Sequence, residues 1–295
     1  MNALWSFWTK PYFAERRSSW YSEWHHWLAW GLSVYAARQH YPETYLVTDD
    51  AGARILIDAL RLPFEHVSTT LNAIADEDPG WWALGKIVSY RRQRAAFVHV
   101  DTDVFLWKPL KPGLEQADVF AQNPEPIVRN ATCYYPEELE RAVRGDARGW
   151  LPPEWTWYGG AKSPRAECCG IFGGRHLEFI QHYADTAFKL VTNPRNRAAL
   201  RLLSGKIGHT ILIEQYLLSA CLEYHRQRSR SPYRGIQIRY VFDRIEDAYH
   251  PENAATVGFT HLAAGAKRNA RVCRDLEQRV RQDLPEYYDR CLRFF

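Results

Sequence analysis

Residues 97–110 have the sequence FVHVDTDVFLWKPL, and this stretch decides the predicted fold. It begins with β-branched and aromatic residues, which are typical of a buried strand. Because side chains alternate along a strand, Asp101 and Asp103 are predicted to project from one face, together with Phe97 and His99. Two neighbouring carboxylates repel each other unless a cation lies between them. Magnesium or manganese suits such oxygen ligands, and the metal would in turn hold phosphate oxygens of a bound nucleotide.

Strand and helix patterns alternate before this stretch. We predict strands over residues 3–9, 44–48 and 64–68, with helices over residues 20–35 and 51–61 between them. Such alternation predicts an α/β fold with a mostly parallel central sheet flanked by helices. Ligands of open sheets bind beyond the carboxyl ends of the strands. Thr9, Asp49 and Asp101 each follow a predicted strand end, so we expect them at one edge of the sheet.

The second half of the chain is less regular. Residues 123–165 are rich in Pro, Gly, Trp and Tyr, and we interpret them either as an insertion that borders the site and binds an acceptor or as a merely structural insertion. The remaining patterns predict strands over residues 117–121, 167–174 and 236–242 and helices over residues 176–191 and 209–224.

Three further residues are candidates for a site. Lys86 lies off the apolar stripe of a predicted helix over residues 84–91, so packing alone does not require it. Glu214 shares a helical face with apolar residues, which is costly unless the carboxylate pairs with a nearby arginine or faces the site. His261 follows a strand-like segment. A neutral imidazole can complete a metal site, although a lone histidine is more often a core residue.

The composition describes an ordinary globular protein with clustered arginines. With 295 residues the chain can bury a large core, and its net charge is only +4. Basic residues concentrate in residues 91–94, 226–239 and 267–293. These segments are either solvated helical faces or could meet phosphates or an anionic membrane surface. No nucleic-acid-binding module accompanies them, so we do not expect nucleic-acid binding.

The N-terminal residues and the cysteines indicate a cellular compartment. Residues 1–10 lack the charged and apolar regions of a signal peptide, and no apolar run approaches transmembrane length. The six cysteines show no zinc-type C-x-x-C spacing and are expected to be free thiols. We therefore expect a soluble, cytoplasmic protein.

Four motifs, in this order, resemble those of GT-A glycosyltransferases. A helix with a basic residue, an Asp-x-Asp element and a Lys-Pro-Leu exit resemble the family's metal-binding DxD element. Residues 170–174, GIFGG, resemble a strand near the donor sugar, although Glu-Cys-Cys replaces the expected Asn-Ala before it. Glu214-Gln215 resembles an acidic-Gln pair of the family. Finally, His261, Gly265 and Lys267 resemble the H-x-x-G-x-x-K element of glycogenin-like transferases, with one extra residue between His and Gly.

The resemblance covers residues 3–267 and implies a GT-A-like catalytic domain over residues 1–268, followed by a helical tail over residues 269–295. It implies transfer of a sugar from a nucleotide-sugar donor, UDP- or GDP-linked, to a glycan or other hydroxyl acceptor, with Mn²⁺ or Mg²⁺ as cofactor. The implied metal ligands are Asp101, Asp103 and His261, and Asp101 is alternatively a ribose or catalytic residue. Lys86 and Lys267 would bind donor sugar or phosphate, Thr9 and Asp49 would bind the nucleoside, and Glu214 would recognise sugar or take part in catalysis.

Two alternatives stay open. Phosphatases of the haloacid-dehalogenase type also place Asp-x-Asp after an apolar strand, with the leading Asp as nucleophile. Here Val104-Phe105 replaces the Gly-Thr of that family and the motif lies mid-chain, which argues against it. A non-catalytic carbohydrate- or partner-binding protein on a GT-A scaffold is the other alternative, because a fold does not determine a function.

Overall fold

The structure is a computed structural model that describes residues 1–14, 19–128, 133–145 and 149–294. Its strands are β1 (Asn2–Phe7), β2 (Thr44–Thr48), β3 (His66–Ser68), β4 (Phe97–Val100), β5 (Val104–Leu106), β6 (Val119–Ala121), β7 (Pro124–Pro126), β8 (Arg165–Glu167), β9 (Ile171–Gly174), β10 (Ile238–Tyr240) and β11 (Phe259–His261). Its α-helices are α1 (Thr9–Ala14), α2 (Glu23–Arg38), α3 (Asp50–Ala53), α4 (Leu84–Arg91), α5 (Pro112–Glu115), α6 (Pro136–Arg144), α7 (Pro153–Tyr158), α8 (Leu177–Thr192), α9 (Arg197–Leu202), α10 (Lys206–Ile211), α11 (Leu217–Arg226), α12 (Ile245–Ala248), α13 (Pro251–Val257), α14 (Ala270–Asp283) and α15 (Pro285–Phe294). π-Helical turns follow α3 (Arg54–Ala59) and join α10 to α11 (Leu212–Tyr216).

A seven-stranded sheet in the order β10–β6–β9–β4–β1–β2–β3 forms the centre of the fold. Its pairs are parallel except that β9 runs antiparallel to both β4 and β6. The strands β1, β2, β4 and β6 therefore end at the same edge. The predicted α/β class with a mostly parallel sheet is confirmed.

Strand alternation divides the core into two layers, one on each face of the sheet. Leu4 and Phe97 point into a cluster formed with α4, α8 and α11. Their neighbours Trp5 and Val98 point into a second cluster, formed with α2, α14 and α15. This is the side-chain alternation expected of strands that are buried on both faces.

The Asp-x-Asp element differs from its predicted geometry. The strand β4 ends at Val100 and β5 begins at Val104, so the two aspartates lie in a turn rather than on one face of a strand. The Val104 amide donates to the Asp101 carbonyl oxygen at 3.0 Å and closes this turn. The chain turns because β5 leaves the central sheet and pairs with β11.

Residues 167–174 also differ from the prediction of one continuous strand. The structure divides them between β8, which ends at Glu167, and β9, which begins at Ile171. The separation arises because β8 pairs with β7, whereas β9 lies in the central sheet between β4 and β6.

The C-terminal helices pack closely on α2. Tyr287 of α15 donates a hydrogen bond to the Trp27 carbonyl oxygen at 2.7 Å. Its ring crosses Gly31, where an added Cβ would lie 2.1 Å from the Tyr287 ring, so only glycine permits this contact. Within the described ranges, none of the helices combines the length and apolar character needed to cross a membrane.

Candidate functional site

A cavity of about 460 Å³ opens at the carboxyl edge of the sheet. This volume lies in the usual range of small-molecule sites. Aromatic side chains form much of its wall, namely Trp8, Tyr12, Trp20, Trp30, Trp82 and Tyr134. Its charged and polar lining includes Lys86, Asp101, Asp103, Gln215, His261 and Lys267. The cavity thus combines flat apolar surfaces with opposite charges.

Two carboxylates and an imidazole converge in this cavity. Ligand atoms of Asp101, Asp103 and His261 all lie within 4.8 Å of one another. The antiparallel pairing of β5 with β11 produces this convergence, because it sets His261 opposite Val104. The Leu262 amide adds a hydrogen bond to the Asp103 carbonyl oxygen at 2.9 Å. Asp103 and His261, which are 158 positions apart in sequence, therefore share one site.

The His261 ring is oriented by Gln122. The two side chains meet at 2.7 Å, between His261 Nδ1 and Gln122 Oε1. An amide oxygen only accepts, so Nδ1 carries a proton and Nε2 is the nitrogen left to face the carboxylates. Nε2 lies 3.5 Å from Asp103 Oδ1, on the side of the carboxylates. Metal-binding histidines are commonly held in this way through their second nitrogen.

Gly170 makes room for this pair of side chains. A Cβ at residue 170 would lie 2.5 Å from the His261 ring and 2.6 Å from Gln122 Oε1. Any larger residue would displace the imidazole, so the glycine is needed for close approach rather than for an unusual backbone angle.

Lys86 is buried and bonded on all sides. Its ammonium lies 2.8 Å from Asp101 Oδ1 and 2.7 Å from Glu214 Oε1, and it donates to the Cys169 carbonyl oxygen at 3.0 Å. An ammonium has three donors, and these three acceptors occupy them. Burial would lower the pKa of Lys86, but Asp101 and Glu214 raise it above its usual value, so the side chain stays charged.

Asp101 and Asp103 have opposite pKa shifts. Burial raises the pKa of Asp101 despite Lys86, and the nearby Asp103 charge adds to the rise. Burial would also raise the pKa of Asp103, but the Lys267 ammonium and His261 hold it well below its usual range. Lys267 is ion-paired to Asp103 Oδ2. A lysine therefore contacts each aspartate, although Lys86 is shared with Glu214.

The donor set fits a divalent metal. Carboxylate oxygens and an imidazole nitrogen are ligands that Mn²⁺ accepts, and Mg²⁺ accepts the carboxylates readily. His261 Nε2 faces Asp103, so this nitrogen would be the one to bind a metal. The site differs from a plain metal cage because Lys86 and Lys267 contact the two carboxylates that the metal would use.

The family was identified by comparison with known proteins. A family model matches residues 1–294, and it describes DUF6734, a family of unknown function. The chain belongs to this family. No curated protein matches it. Among solved structures, galactosyltransferase LgtC in complex with donor and acceptor sugar analogues is 11% identical, with 93% of this chain and 96% of that chain covered and a TM-score of 0.39. Mouse xyloside xylosyltransferase 1, in its apo form, is 9% identical, with 90% and 98% covered and a TM-score of 0.37.

Several predicted residues of this DUF6734 protein meet in the cavity. Lys86, Asp101, Asp103, His261 and Lys267 all line it, as the sequence-based interpretation requires. Their roles in binding metal and donor stay predictions. The structure adds that the Lys86 donors are already occupied, so this lysine orients Asp101.

Glu214 lies behind the site rather than in it. Its side chain is fully buried and pairs with Lys86, not with an arginine. Tyr90 donates a further hydrogen bond to its Oε1 at 2.9 Å. The carboxylate is absent from the cavity lining, in which the next residue, Gln215, takes part. Glu214 therefore influences the site by its contact with Lys86. Its position does not support the predicted contact with sugar.

Thr9 and Asp49 bind each other. The amide and hydroxyl of Thr9 both donate to Asp49 Oδ2 at 2.8 Å, and the Gly52 amide donates to Oδ1 at 2.8 Å. Asp49 thereby caps α3. Neither side chain belongs to the cavity lining, so their predicted contact with a nucleoside is not supported by their placement.

Sequence analysis missed Gln122 and understated His99. Gln122 directly follows β6, so the rule that ligands lie beyond strand ends would have found it. His99 lines the cavity, with Nδ1 3.7 Å from Asp101 Oδ1 and Nε2 3.0 Å from Ser6 Oγ. Burial, together with Lys86, holds its pKa well below the usual value, so its ring is neutral.

The loop from His261 to Lys267 contains a left-handed residue before its glycine. Ala264, three residues after His261, has φ +47°, in the left-handed region that favours glycine. This is the position where the resembling H-x-x-G-x-x-K element has its glycine. Counted through Ala264, the spacing from His261 to Lys267 agrees with that element, and the left-handed residue of this loop is an alanine.

Proposed function

We propose that this protein is a metal-dependent glycosyltransferase. It would transfer a sugar from a UDP- or GDP-linked donor to a hydroxyl group of a glycan or another acceptor. The observation that carries the proposal is the convergence of Asp101, Asp103 and His261 within 4.8 Å, in a cavity that also contains Lys267. Negative and positive groups side by side suit a metal together with a diphosphate.

The residues of the cavity would have different binding roles. Asp101, Asp103 and His261 would hold Mn²⁺ or Mg²⁺, and the bound metal would neutralise charge on the departing diphosphate. Lys267 would exchange its carboxylate partner for a phosphate oxygen once the metal has taken its place. Among the aromatic rings of the wall, the partly exposed Trp82 offers a surface on which a sugar or a base can stack.

Lys86 and Glu214 would act as positioning residues. Lys86 contacts both oxygens of Asp101, at 2.8 and 3.0 Å, and fixes the plane of that carboxylate. Glu214 anchors Lys86 from the core side. Their arrangement keeps Asp101 oriented towards the cavity before any ligand arrives.

A second candidate is a metal-independent carbohydrate- or partner-binding protein. The specific observation in its favour is the pairing of Asp101 with Lys86 and of Asp103 with Lys267. Each aspartate thus has a lysine partner without a metal, although Lys86 also serves Glu214.

A thermal-shift panel separates the two candidates. Nucleoside diphosphates are added with and without Mn²⁺ to the wild type, to Asp103→Asn and to Asp185→Asn. Asp185 is a matched control, because its side chain is 59% exposed and pairs only with Arg91 in the described residues. A ligand that binds the folded state alone raises the melting temperature.

The transferase proposal expects UDP or GDP to stabilise the wild type and the Asp185 variant only with Mn²⁺, and Asp103→Asn not at all. Stabilisation by sugars or nucleotides that is independent of metal would support the binding protein instead. Absence of any nucleotide effect, with phosphate released from an aryl phosphate, would favour the phosphatase alternative.

A further inference from the structure

A second cluster of metal-ligating side chains lies among the helices, outside the cavity. It contains Glu154 of α7, His182 of α8, and Cys221 and His225 of α11, and we call it the helix cluster. Cys221 and His225 are four residues apart, so they share one face of their helix. None of the four residues lines the cavity described above.

The ligand atoms of the helix cluster are close together. His182 Nε2 and His225 Nε2 lie 3.0 Å apart, and they lie 3.1 and 3.5 Å from Glu154 Oε1. Ligand atoms of Glu154, His182 and Cys221 all fall within 4.8 Å of one another. Cys221 is a buried free thiol.

The hydrogen bonding of this cluster is incomplete. His225 Nδ1 meets Ser231 Oγ at 2.8 Å, where the hydroxyl can be the donor, and His182 Nε2 and His225 Nε2 both contact Glu154 Oε1. With neutral rings, the two Nε2 atoms carry at most two protons, one fewer than the three close contacts among these atoms require. In addition, Glu154 Oε2 is buried without a hydrogen-bond partner among the described residues, and the side chain is only 5% exposed. A buried oxygen without a partner requires an explanation.

We propose that the helix cluster binds one Zn²⁺ through Glu154, His182, Cys221 and His225. A tetrahedral zinc site with nitrogen and oxygen ligands has ligand–ligand distances of about 3.3 Å, close to those found here. Thiolate and imidazole ligands select zinc over magnesium or manganese. Coordination releases the Cys221 thiol proton to solvent and leaves a thiolate on the metal.

The site has an entrance and a structural consequence. His182 is 30% exposed, so the metal reaches the cluster from solvent on that side. Because the ligands belong to α7, α8 and α11, the bound zinc joins three helices that pack on one face of the sheet. The proposal does not depend on the glycosyltransferase activity.

Zinc titration of the apoprotein tests the site. All variants carry Asp103→Asn, which removes one charged ligand of the cavity and weakens metal binding there. We compare this background with His182→Gln and with the control His66→Gln, a histidine whose side chain is 51% exposed. The proposal expects one tightly bound Zn²⁺ per chain in the background and in the control. With His182→Gln, which removes a ligand, binding should weaken by at least about 100-fold, the upper end of the loss for an outer-shell partner.

Cobalt supplies a second readout. Co²⁺ at the helix cluster should give the intense visible absorption of tetrahedral coordination and a thiolate charge-transfer band that Cys221→Ser abolishes. The partial exposure of His182 allows its variant to fold, which circular dichroism checks. The proposal is overturned if the folded background protein binds no zinc, or if His182→Gln binds it as tightly as the control does; the cluster is then an ion-paired network.

Discussion

The cavity and the helix cluster both bring carboxylates and histidines together, but they balance charge differently. In the cavity, Lys86 and Lys267 contact the aspartates. In the helix cluster, no lysine contacts Glu154 in the described residues, and its partners are His182 and His225. A site whose carboxylates pair with lysines can be stable without a ligand, and its lysines can pair with a substrate instead. A site without such lysines would be completed by a permanently bound metal.

The two regions also differ in the types of metal ligand that they offer. The cavity offers two carboxylates and one imidazole beside an open volume of about 460 Å³. The helix cluster offers one carboxylate, two imidazoles and a thiol between packed helices. Hard oxygen ligands suit a metal that meets phosphate, whereas thiolate and imidazole suit a structural zinc.

Removing the Lys86 ammonium gives the largest expected effect on stability. Lys86→Met leaves Asp101 and Glu214 without their partner, and a buried carboxylate without its ion pair costs about 3–5 kcal/mol. Urea unfolding measures the loss, with Lys162→Met as an exposed control. The double variant Lys86→Met/Glu214→Gln should recover part of the stability. Equal stability of Lys86→Met and the wild type would contradict the view that Lys86 balances this site.

Crowding the His261 ring should affect the cavity and leave the helix cluster unchanged. Gly170→Ala places a Cβ 2.5 Å from that ring, so we expect a destabilisation of about 1–3 kcal/mol and loss of the Mn²⁺-dependent nucleotide effect. Zinc binding by the helix cluster should not change. At Gly265 an added Cβ meets no described atom within 4 Å, so Gly265→Ala is the matched control. Retention of both the stability and the nucleotide effect in Gly170→Ala would rule out the oriented imidazole.

Relieving the backbone at Ala264 should give the smallest effect. The left-handed conformation costs a non-glycine residue about 1–2 kcal/mol, and glycine's greater freedom in the unfolded chain offsets part of that gain. Ala264→Gly should therefore stabilise the protein by about 1 kcal/mol or less, measured by urea unfolding. Arg61, with φ +52°, is the other such non-glycine residue in the described ranges, and Arg61→Gly serves as control.

We expect both variants to keep the Mn²⁺-dependent stabilisation by nucleotide. If that stabilisation changed in Ala264→Gly but not in Arg61→Gly, the strained backbone at Ala264 would serve ligand binding. A loss of stability in Ala264→Gly would show that the Ala264 methyl group packs favourably enough to outweigh its backbone strain.

Much of the fold could be predicted because periodicity is a local signal. Alternating strands and helices before residue 97 predict the parallel sheet, and the helices carrying Lys86 and Glu214 were found within a few residues. The turn at Asp101–Asp103 was not predicted, since it depends on β5 pairing with β11 about 150 residues later. Such a pairing leaves no mark on the local pattern.

The sequence alone determined which chemistry the chain can offer. Two aspartates after a buried strand, a histidine and a lysine six residues apart, and a carboxylate on an apolar helix face are visible without coordinates. Their side-chain types already indicated metal and phosphate as partners.

Only the tertiary structure decided which of these residues meet, and which are taken by one another. It joined Lys86 to Asp101 and Glu214, turned Gln122 towards His261, and bonded Thr9 to Asp49 outside the cavity. It also assembled the helix cluster, whose ligands come from three separate helices. The physical reason is that a hydrogen bond or ion pair acts over about 3 Å of space, whatever the distance along the chain.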